Sequence, residues 1–338
     1  MAARIAEGAS VPRNEDLPAN ASPVKVGPRC IALLSSQFDM AFLVPAFQAC
    51  FPGAELRLNN DLGRLSDIDA AVCWAPAPGL LASMPGLKLI QSLGAGVDHL
   101  ASDPDLPDVP VCRIIDPDMA SGMTAYVAWA VIQHQRCMRG YLDSAARGAW
   151  EEQPIRPPRT HTVGIAGMGE LGRACARVLL ALGYRVRGWS RQPKSDLPAG
   201  VDGFYGEQAR ATFLSGCDTL VCLLPLTAET KGVLCAGLFD QLPVGAHLIN
   251  VGRGDHLVQA DLLAALASGQ LSAATLDTFS QEPLPADHPF WRNPRITITP
   301  HVATRTSPRV IARQTLTHFQ QIDAGEHATG AVDLKRGY

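Results

Sequence analysis

The stretch that most restricts how this chain can fold is VGIAGMGELGRACARVLLALG, residues 163–183. Val163 to Ala166 is a short apolar run of strand length. Gly167-Met168-Gly169-Glu170-Leu171-Gly172 follows with the spacing G-x-G-x-x-G. Leu171, Ala174, Cys175, Val178, Leu179 and Leu182 then mark one apolar face of a helix, and Gly183 is a fitting stop. The first glycine permits a tight turn, the second lets backbone approach a pyrophosphate, and the third lets the helix lie on the strand. The helix start adds free N–H groups and a positive dipole for phosphates. Strand, loop and helix in this order predict a dinucleotide-binding Rossmann unit.

The next strand ends in RVRGWSRQPK, Arg185 to Lys194, about where such a unit would carry an acid for the adenosine ribose hydroxyls. The chain offers Ser190 and Arg191 instead. A carboxylate would repel a ribose phosphate by about 3 kcal/mol at ~5 Å and a dielectric of ~20. Serine removes that repulsion, Arg191 can form a charge-assisted bond, and Lys194 is within a few residues. The pattern predicts NADP(H) as the preferred coenzyme, with NAD(H) an open second.

Other segments repeat the β-α style. CIALLSS (Cys30–Ser36), AAVCWA and LKLIQSLG precede the glycine loop; TLVCLLP, AHLINVG, LSAATLD and ITITP follow it. Strands alternating with helices predict parallel sheets covered on both faces. Met123, Val127, Ala130, Val131, His134, Met138 and Tyr141 predict one long helix from Gly122 to Arg147, and EEQPIRPPRT, with three prolines, a connecting loop. The last helix, SPRVIARQTLTHFQQIDAG, is expected to return to the first unit. The expected fold is α/β, with two doubly wound parallel-sheet domains. A Rossmann-type nucleotide domain (123–302) is inserted into a flavodoxin-like substrate domain (26–122 plus 303–338). Residues 1–25 show no uninterrupted apolar core of a signal peptide and are expected to be a poorly ordered extension.

A net charge of −3, with no long run of one sign, argues against nucleic acid or an anionic membrane as the main partner. No apolar stretch reaches the length of a membrane span. The nine cysteines are odd in number and show no C-x-x-C, so they are expected to be small buried hydrophobes in a reducing compartment, the cytoplasm. Histidines without H-x-x-x-H or H-E-x-x-H spacing give no reason to expect a metal.

Three further segments, each after an expected strand, carry chemistry: NVGRGD with Arg253, LDTFSQEPLP with Glu282, and TPHVAT with His301. Ligands of open α/β sheets bind at the carboxyl ends of strands, so the three could converge. Arg253 offers a planar fork for a carboxylate. His301 could give a proton to a carbonyl oxygen as hydride reaches its carbon. Glu282, bonded to His301, would fix the imidazole tautomer. These types suit reduction of a 2-keto acid, although singly each could be structural. The strand ends Leu224–Pro225 and Val251–Gly252–Arg253, with His301, are counted with the coenzyme site.

From about Val72 to Tyr338 the chain resembles the D-isomer-specific 2-hydroxyacid dehydrogenase family. The marks are the glycine loop, LLPLTAETKGVL, LINVGRGDHLVQADLLAALASGQLSAATLDTFSQEPLP and PRITITPHVA. Within it, GWSR, PADHPFWRNPRITITPHVA and VDLKRGY are most similar to the bacterial glyoxylate/hydroxypyruvate reductase A group. The resemblance implies the roles above for Arg253, Glu282 and His301, and a contact from Asp277 to the nicotinamide carboxamide. It implies that Ala95 and Gly96 lend N–H groups to a substrate carboxylate, that Trp74 closes the pocket, and that the chain forms a homodimer. The chain departs from its relatives in the extension before Val26, in Ala125 where many carry Glu, and in Thr278 where Val is usual. The leading expectation is an NADPH-dependent reductase of glyoxylate and hydroxypyruvate. A reductase of another 2-keto acid, such as phenylpyruvate or pyruvate, and a nucleotide-sensing corepressor that retains the trio are the alternatives.

Overall fold

The computed structural model describes residues 27–334, so the expected extension lies outside the described residues. Two parallel sheets form. The first contains β1 (Cys30–Ser35), β2 (Glu55–Leu58), β3 (Ala70–Trp74), β4 (Leu89–Ser92) and β5 (Val111–Cys112), in the order β2-β1-β3-β4-β5. The second contains β6 (Thr162–Ala166), β7 (Arg185–Ser190), β8 (Val201–Tyr205), β9 (Thr219–Cys222), β10 (Ala246–Asn250), β11 (Leu271–Leu276) and β12 (Ile296–Ile298). Its order is β12-β11-β10-β9-β6-β7-β8. Both orders are doubly wound, as the alternation of strands and helices predicts.

The inner strands bury both faces and therefore read as largely apolar runs. All six residues of β1 and all five of β10 are buried. The strands that sequence reading does not name are the poorly covered or short ones: β2, β5 and β8. In the second sheet β6 has β7 on one side and β9 on the other, so the crevice of the topological switch opens at the end of β6.

The helices are α1 (Val44–Cys50), α2 (Asp98–Ala101), α3 (Pro117–Gln135), α4 (Met138–Ala146), α5 (Glu170–Ala181), α6 (Arg210–Leu214), α7 (Ala236–Phe239), α8 (Gln259–Ser268) and α9 (Pro308–Asp323). Two differ from expectation. The helix expected over 122–147 starts earlier, because Asp116 caps it through the Asp118 N–H (3.0 Å) and Pro117 fills the first turn. It also breaks in two at Cys137, whose φ of +53° is left-handed; α4 then turns so that the Tyr141 hydroxyl accepts from the Gln153 N–H at 3.1 Å. On α5, Leu182 is exposed rather than on the buried face, because it is the C-cap. Gly183 (φ +86°) closes this end, with Tyr184 N–H bonding Leu179 C=O at 3.1 Å.

α3 packs its Met123, Val127, Ala130 and Val131 against β6 and α5. α9 crosses back to the first sheet, where Ile311 and Ala312 join Ile31, Leu33 and Phe47. His318 Nδ1 meets Gln91 Oε1 at 2.7 Å, and Gln314 bonds both the N–H and C=O of Ile115. Six of the nine cysteines are buried and Cys137 is exposed; all are free thiols. Among the described residues no helix is long and apolar enough to cross a membrane.

Three histidines cluster in the second unit, His247 buried and His134 and His161 half-buried. The rings of His134 (α3) and His247 (β10) stack at 4.2 Å; His247 meets Thr275 at 3.0 Å and His161 meets Thr219 at 2.9 Å. Burial, then the positive potential of His161, pushes His134 down to about 4. Burial, then His134 and His161, holds His247 well below its usual value. His161 is lowered by burial and Arg156 against the opposing pull of Asp218. These imidazoles fold neutral, so their contribution is complete above about pH 6.5 and is lost as pH falls toward 4. Each adds up to about 1.4 kcal/mol per pH unit to the slope of stability in that window. Urea unfolding from pH 7 to 4.5 should show a shallower loss of stability in His134→Phe than in the wild type; parallel profiles would refute this.

Candidate active site

Arg253 follows β10 on a turn locked by its own backbone. Asn250 Nδ2 donates to Arg253 C=O (2.9 Å), and Arg253 N–H donates to His256 Nδ1 (3.1 Å). With Nδ1 accepting, the His256 proton sits on Nε2, which faces Pro225 C=O at 3.3 Å. Burial holds His256 below its usual value.

The Arg253 side chain reaches across to the first unit. Its Nε lies 3.1 and 3.2 Å from the two oxygens of Asp98 on α2, and Nη1 donates to Gly252 C=O at 2.8 Å. The guanidinium also lies 5.9 Å from the centre of the Trp74 ring. Burial alone would raise the Asp98 carboxyl, but the charge and hydrogen bond of Arg253 outweigh it and hold it low. Gly96 is required here, because a Cβ would overlap Arg253 Nη2. Its loop after β4 is pinned by Ser92 Oγ, which donates to Gly96 C=O at 2.7 Å. Among the described residues the Ala95 and Gly96 N–H groups have no partner. His99 sits 4.7 Å from the Trp74 ring; burial pushes it to about 4, so it stays neutral beside Arg253.

His301 Nδ1 lies 2.8 Å from Glu282 Oε2, and Glu282 Oε1 accepts from the Phe279 N–H at 2.8 Å. Burial would raise Glu282, but the hydrogen bond and charge of His301, then Phe279 and Arg253, lower it. His301 has φ +52°, a left-handed backbone that costs a non-glycine residue on the order of 1–3 kcal/mol. The buried Asp277 carboxylate offsets this strain by accepting the two following N–H groups, Val302 at 2.9 Å and Ala303 at 2.8 Å. Trp74 meets His301 edge-on at 6.2 Å and donates its indole N–H to Gln37 at 3.0 Å. One ring therefore touches both Arg253 and His301.

The glycine loop lies in the crevice. Gly167 (φ +108°) has Leu223 C=O so close that a Cβ would collide, and a Cβ on Gly172 would strike Gly167 C=O. Gly169 faces open space at the start of α5, and Met168 is buried against Gly188. Glu170 is exposed and Leu171 half-buried. Leu224 and Pro225 follow β9, and Val251 and Gly252 follow β10; Leu223 N–H bonds Ala166 C=O (2.8 Å), and Val251 N–H bonds Cys222 C=O (3.3 Å). Ser190 ends β7 beside Gly167, whose N–H bonds Trp189 C=O at 3.0 Å. Ser190 Oγ donates to Gln192 C=O (2.8 Å), and the half-buried Lys194 follows in the β7–β8 connection. Arg191 Nη1 lies 3.3 Å from the Glu229 carboxylate. The open space at Gly169, the start of α5 and the cation at the end of β7 fit a phosphorylated dinucleotide.

Sequence reasoning gave no role to Asp98, Glu229, Thr299 or Tyr126. Asp98 stands just after Ala95 and Gly96, and Glu229 stands in LLPLTAETKGVL, but both roles depend on partners far away in the chain.

The profile for the D-isomer specific 2-hydroxyacid dehydrogenase NAD binding domain matches residues 128–303. A glyoxylate/hydroxypyruvate reductase A of Yersinia enterocolitica is 42% identical over 309 residues, 89% of this chain and 97% of the relative. A D-isomer specific 2-hydroxyacid dehydrogenase of Xanthobacter autotrophicus Py2, solved with NADPH and MES, superposes with a TM-score of 0.85 at 38% identity, covering 92% of this chain and 100% of that one. An NADPH-dependent glyoxylate/hydroxypyruvate reductase of Sinorhizobium meliloti, solved with NADP and sulfate, gives 0.85 at 36% identity, with 91% and 99% covered. With this extent of identity along nearly the whole of each relative, the chain belongs to the D-isomer-specific 2-hydroxyacid dehydrogenase family and is an oxidoreductase.

Proposed function

We propose that the protein reduces glyoxylate and hydroxypyruvate to glycolate and D-glycerate in the cytoplasm, with NADPH preferred over NADH. The observation that carries this reading is the single Trp74 ring in contact with both Arg253 (5.9 Å) and His301 (6.2 Å). A carboxylate-binding cation and a proton-carrying imidazole thus share one small aromatic-walled mouth, which suits a two- or three-carbon keto acid. The relatives' names and bound coenzymes support it.

NADPH, when bound, supplies the hydride for the 2-keto carbon. Arg253 and the Ala95 and Gly96 N–H groups hold the substrate carboxylate, and Asp98 orients the guanidinium from behind. Glu282 holds His301 Nδ1–H, which leaves Nε2 to give its proton to the carbonyl oxygen. Asp277 holds the backbone of the His301 loop and would contact the carboxamide of the bound coenzyme. Residues 167–172 would hold the phosphates, Leu224, Pro225, Val251 and Gly252 would line the site for the nicotinamide half, and Ser190, Arg191 and Lys194 would hold the ribose phosphate. In this reading residues 26–122 and 303–338 form the substrate domain and 123–302 the coenzyme domain.

Purified protein should oxidise NADPH with glyoxylate and hydroxypyruvate at higher kcat/KM than with pyruvate or phenylpyruvate; a reversed ranking would transfer the assignment to the bulkier or less polar acid. His301→Ala should lower kcat by roughly 10²–10⁴ with NADPH affinity within twofold. Unchanged turnover would remove His301 from the chemistry.

Arg191→Ala should lower the NADPH:NADH ratio of kcat/KM by roughly 10- to 100-fold, the worth of a charge-assisted bond. Glu229→Gln, which relieves competition for Arg191, should raise it a few-fold. No change in either variant would place the ribose phosphate elsewhere.

Along α3, α4 and the loop that follows, Trp129, Met138, Leu142, Trp150 and Ile155 are exposed, Trp150 at 96%. So many large apolar groups on one segment support a homodimer packed through it. Sedimentation at micromolar protein should give a dimer, and Leu142→Glu/Trp150→Glu a monomer; a monomeric wild type would end this assignment.

A further inference from the structure

We propose that Tyr126 and Thr299 are positioning residues for the proton donor, acting through Asp277 on the backbone that presents His301. The inference rests on the proton-donor role assigned to His301 above.

Tyr126 on α3 places its hydroxyl 2.5 Å from Thr299 Oγ1, and Thr299 Oγ1 lies 2.6 Å from Asp277 Oδ1. The direction of this chain follows from chemistry. A carboxylate can only accept, so the Thr299 proton goes to Asp277. Thr299 has no second proton, so it accepts from Tyr126. Burial raises the Tyr126 phenol above its ordinary value, so the phenol keeps the proton it donates.

Asp277 then accepts on both oxygens: Thr299 and the Val302 N–H on Oδ1, the Ala303 N–H on Oδ2. Those two N–H groups immediately follow His301, whose left-handed φ of +52° is costly for a residue with a side chain. Thr299 approaches the same turn from the other side, since His301 N–H bonds Thr299 C=O at 3.0 Å. Residues 299 to 303 are therefore wrapped around one carboxylate, and the Thr299 hydroxyl aims it. If Oδ1 loses that donor, the carboxylate can rotate, the two N–H bonds change together, and the imidazole shifts relative to Glu282 and the cleft. Tyr126 acts one step further out, so its effect must pass through Thr299.

The test uses the full-length protein with four substitutions. Thr299→Val keeps the shape and removes the hydroxyl; kcat for glyoxylate should fall at least tenfold, a larger factor than any change in KM for NADPH. Thr299→Ser should restore at least half of the wild-type kcat. Tyr126→Phe should lower kcat about threefold. The double variant Tyr126→Phe/Thr299→Val should be no slower than Thr299→Val alone, because residues in series do not add. A separate readout needs no substrate: the hydrogen-bonded Nδ1 proton of His301, seen by nitrogen-edited NMR, should move or broaden in Thr299→Val and return in Thr299→Ser. If wild type reduces no keto acid, the proposed function fails while this NMR arm still decides the positioning role. The proposal is overturned by a folded Thr299→Val with kcat within twofold of wild type and an unmoved His301 resonance. Should Thr299→Val not fold, unchanged kcat and an unmoved resonance in Tyr126→Phe overturn it instead.

Discussion

Arg253 must keep a full positive charge in a mouth mostly shielded from water, without its fork being consumed before a ligand arrives. Its side chain is about one-fifth exposed, as is that of Asp98. A charge so placed is stable only when paired and hydrogen-bonded. Asp98 meets that need at Nε and Gly252 C=O takes a proton of Nη1, so neither contact uses a proton of Nη2. The pairing also joins the ends of two sheets, since Arg253 follows β10 and Asp98 lies on the helix after β4. The rest of the mouth is arranged around this contact. Gly96 has no side chain because Nη2 lies where a Cβ would be, and Trp74 lies within cation–π range.

His301 poses the opposite problem, because its constraint is in the backbone and not in charge. A loop that returns from β12 toward α9 with a left-handed residue at its tip needs several bonds to hold it there. Asp277 supplies them from the end of the neighbouring strand β11. The two halves of the mouth are thus fixed by two carboxylates, Asp98 partly and Asp277 fully buried, with different tasks. Asp98 balances a side-chain charge; Asp277 holds a turn.

What could be read from the sequence follows the range of the interaction involved. The glycine loop was legible because turn, open approach and close packing are local backbone demands that only glycine meets. β1, β6, β9 and β10 were legible because strands buried on both faces are mostly apolar. β5, only Val111–Cys112, has too few residues to leave a pattern, and β8 contains Gly203 and an exposed face. The break at Cys137 carries no proline or glycine and follows from tertiary contacts of α4 with the loop at Gln153. Arg253, Glu282 and His301 could be picked out by type and by the strand ends they follow. Asp98 could not, since its meaning lies in a partner 155 residues away, nor could Tyr126, 173 residues from Thr299.

The acid missing from the end of β7 is the case where the sequence was informative through an absence, and the structure adds to it. A carboxylate does stand near that strand end, but it belongs to Glu229 and comes from the loop after β9. That loop is a built turn, with Thr230 Oγ1 bonded to Pro225 C=O at 2.7 Å and to the Thr227 N–H at 2.8 Å. Exposed ion pairs of this kind are worth only ~0–1 kcal/mol. A ribose phosphate, with a charge of about −1.5 to −2, would therefore displace Glu229 from Arg191 readily. A ribose hydroxyl would have no charge with which to do so, yet it could donate to the carboxylate where it stands. In the proposed reading, an acid on a separate loop, opposite a cation, would let one pocket discriminate by charge while still admitting the unphosphorylated coenzyme.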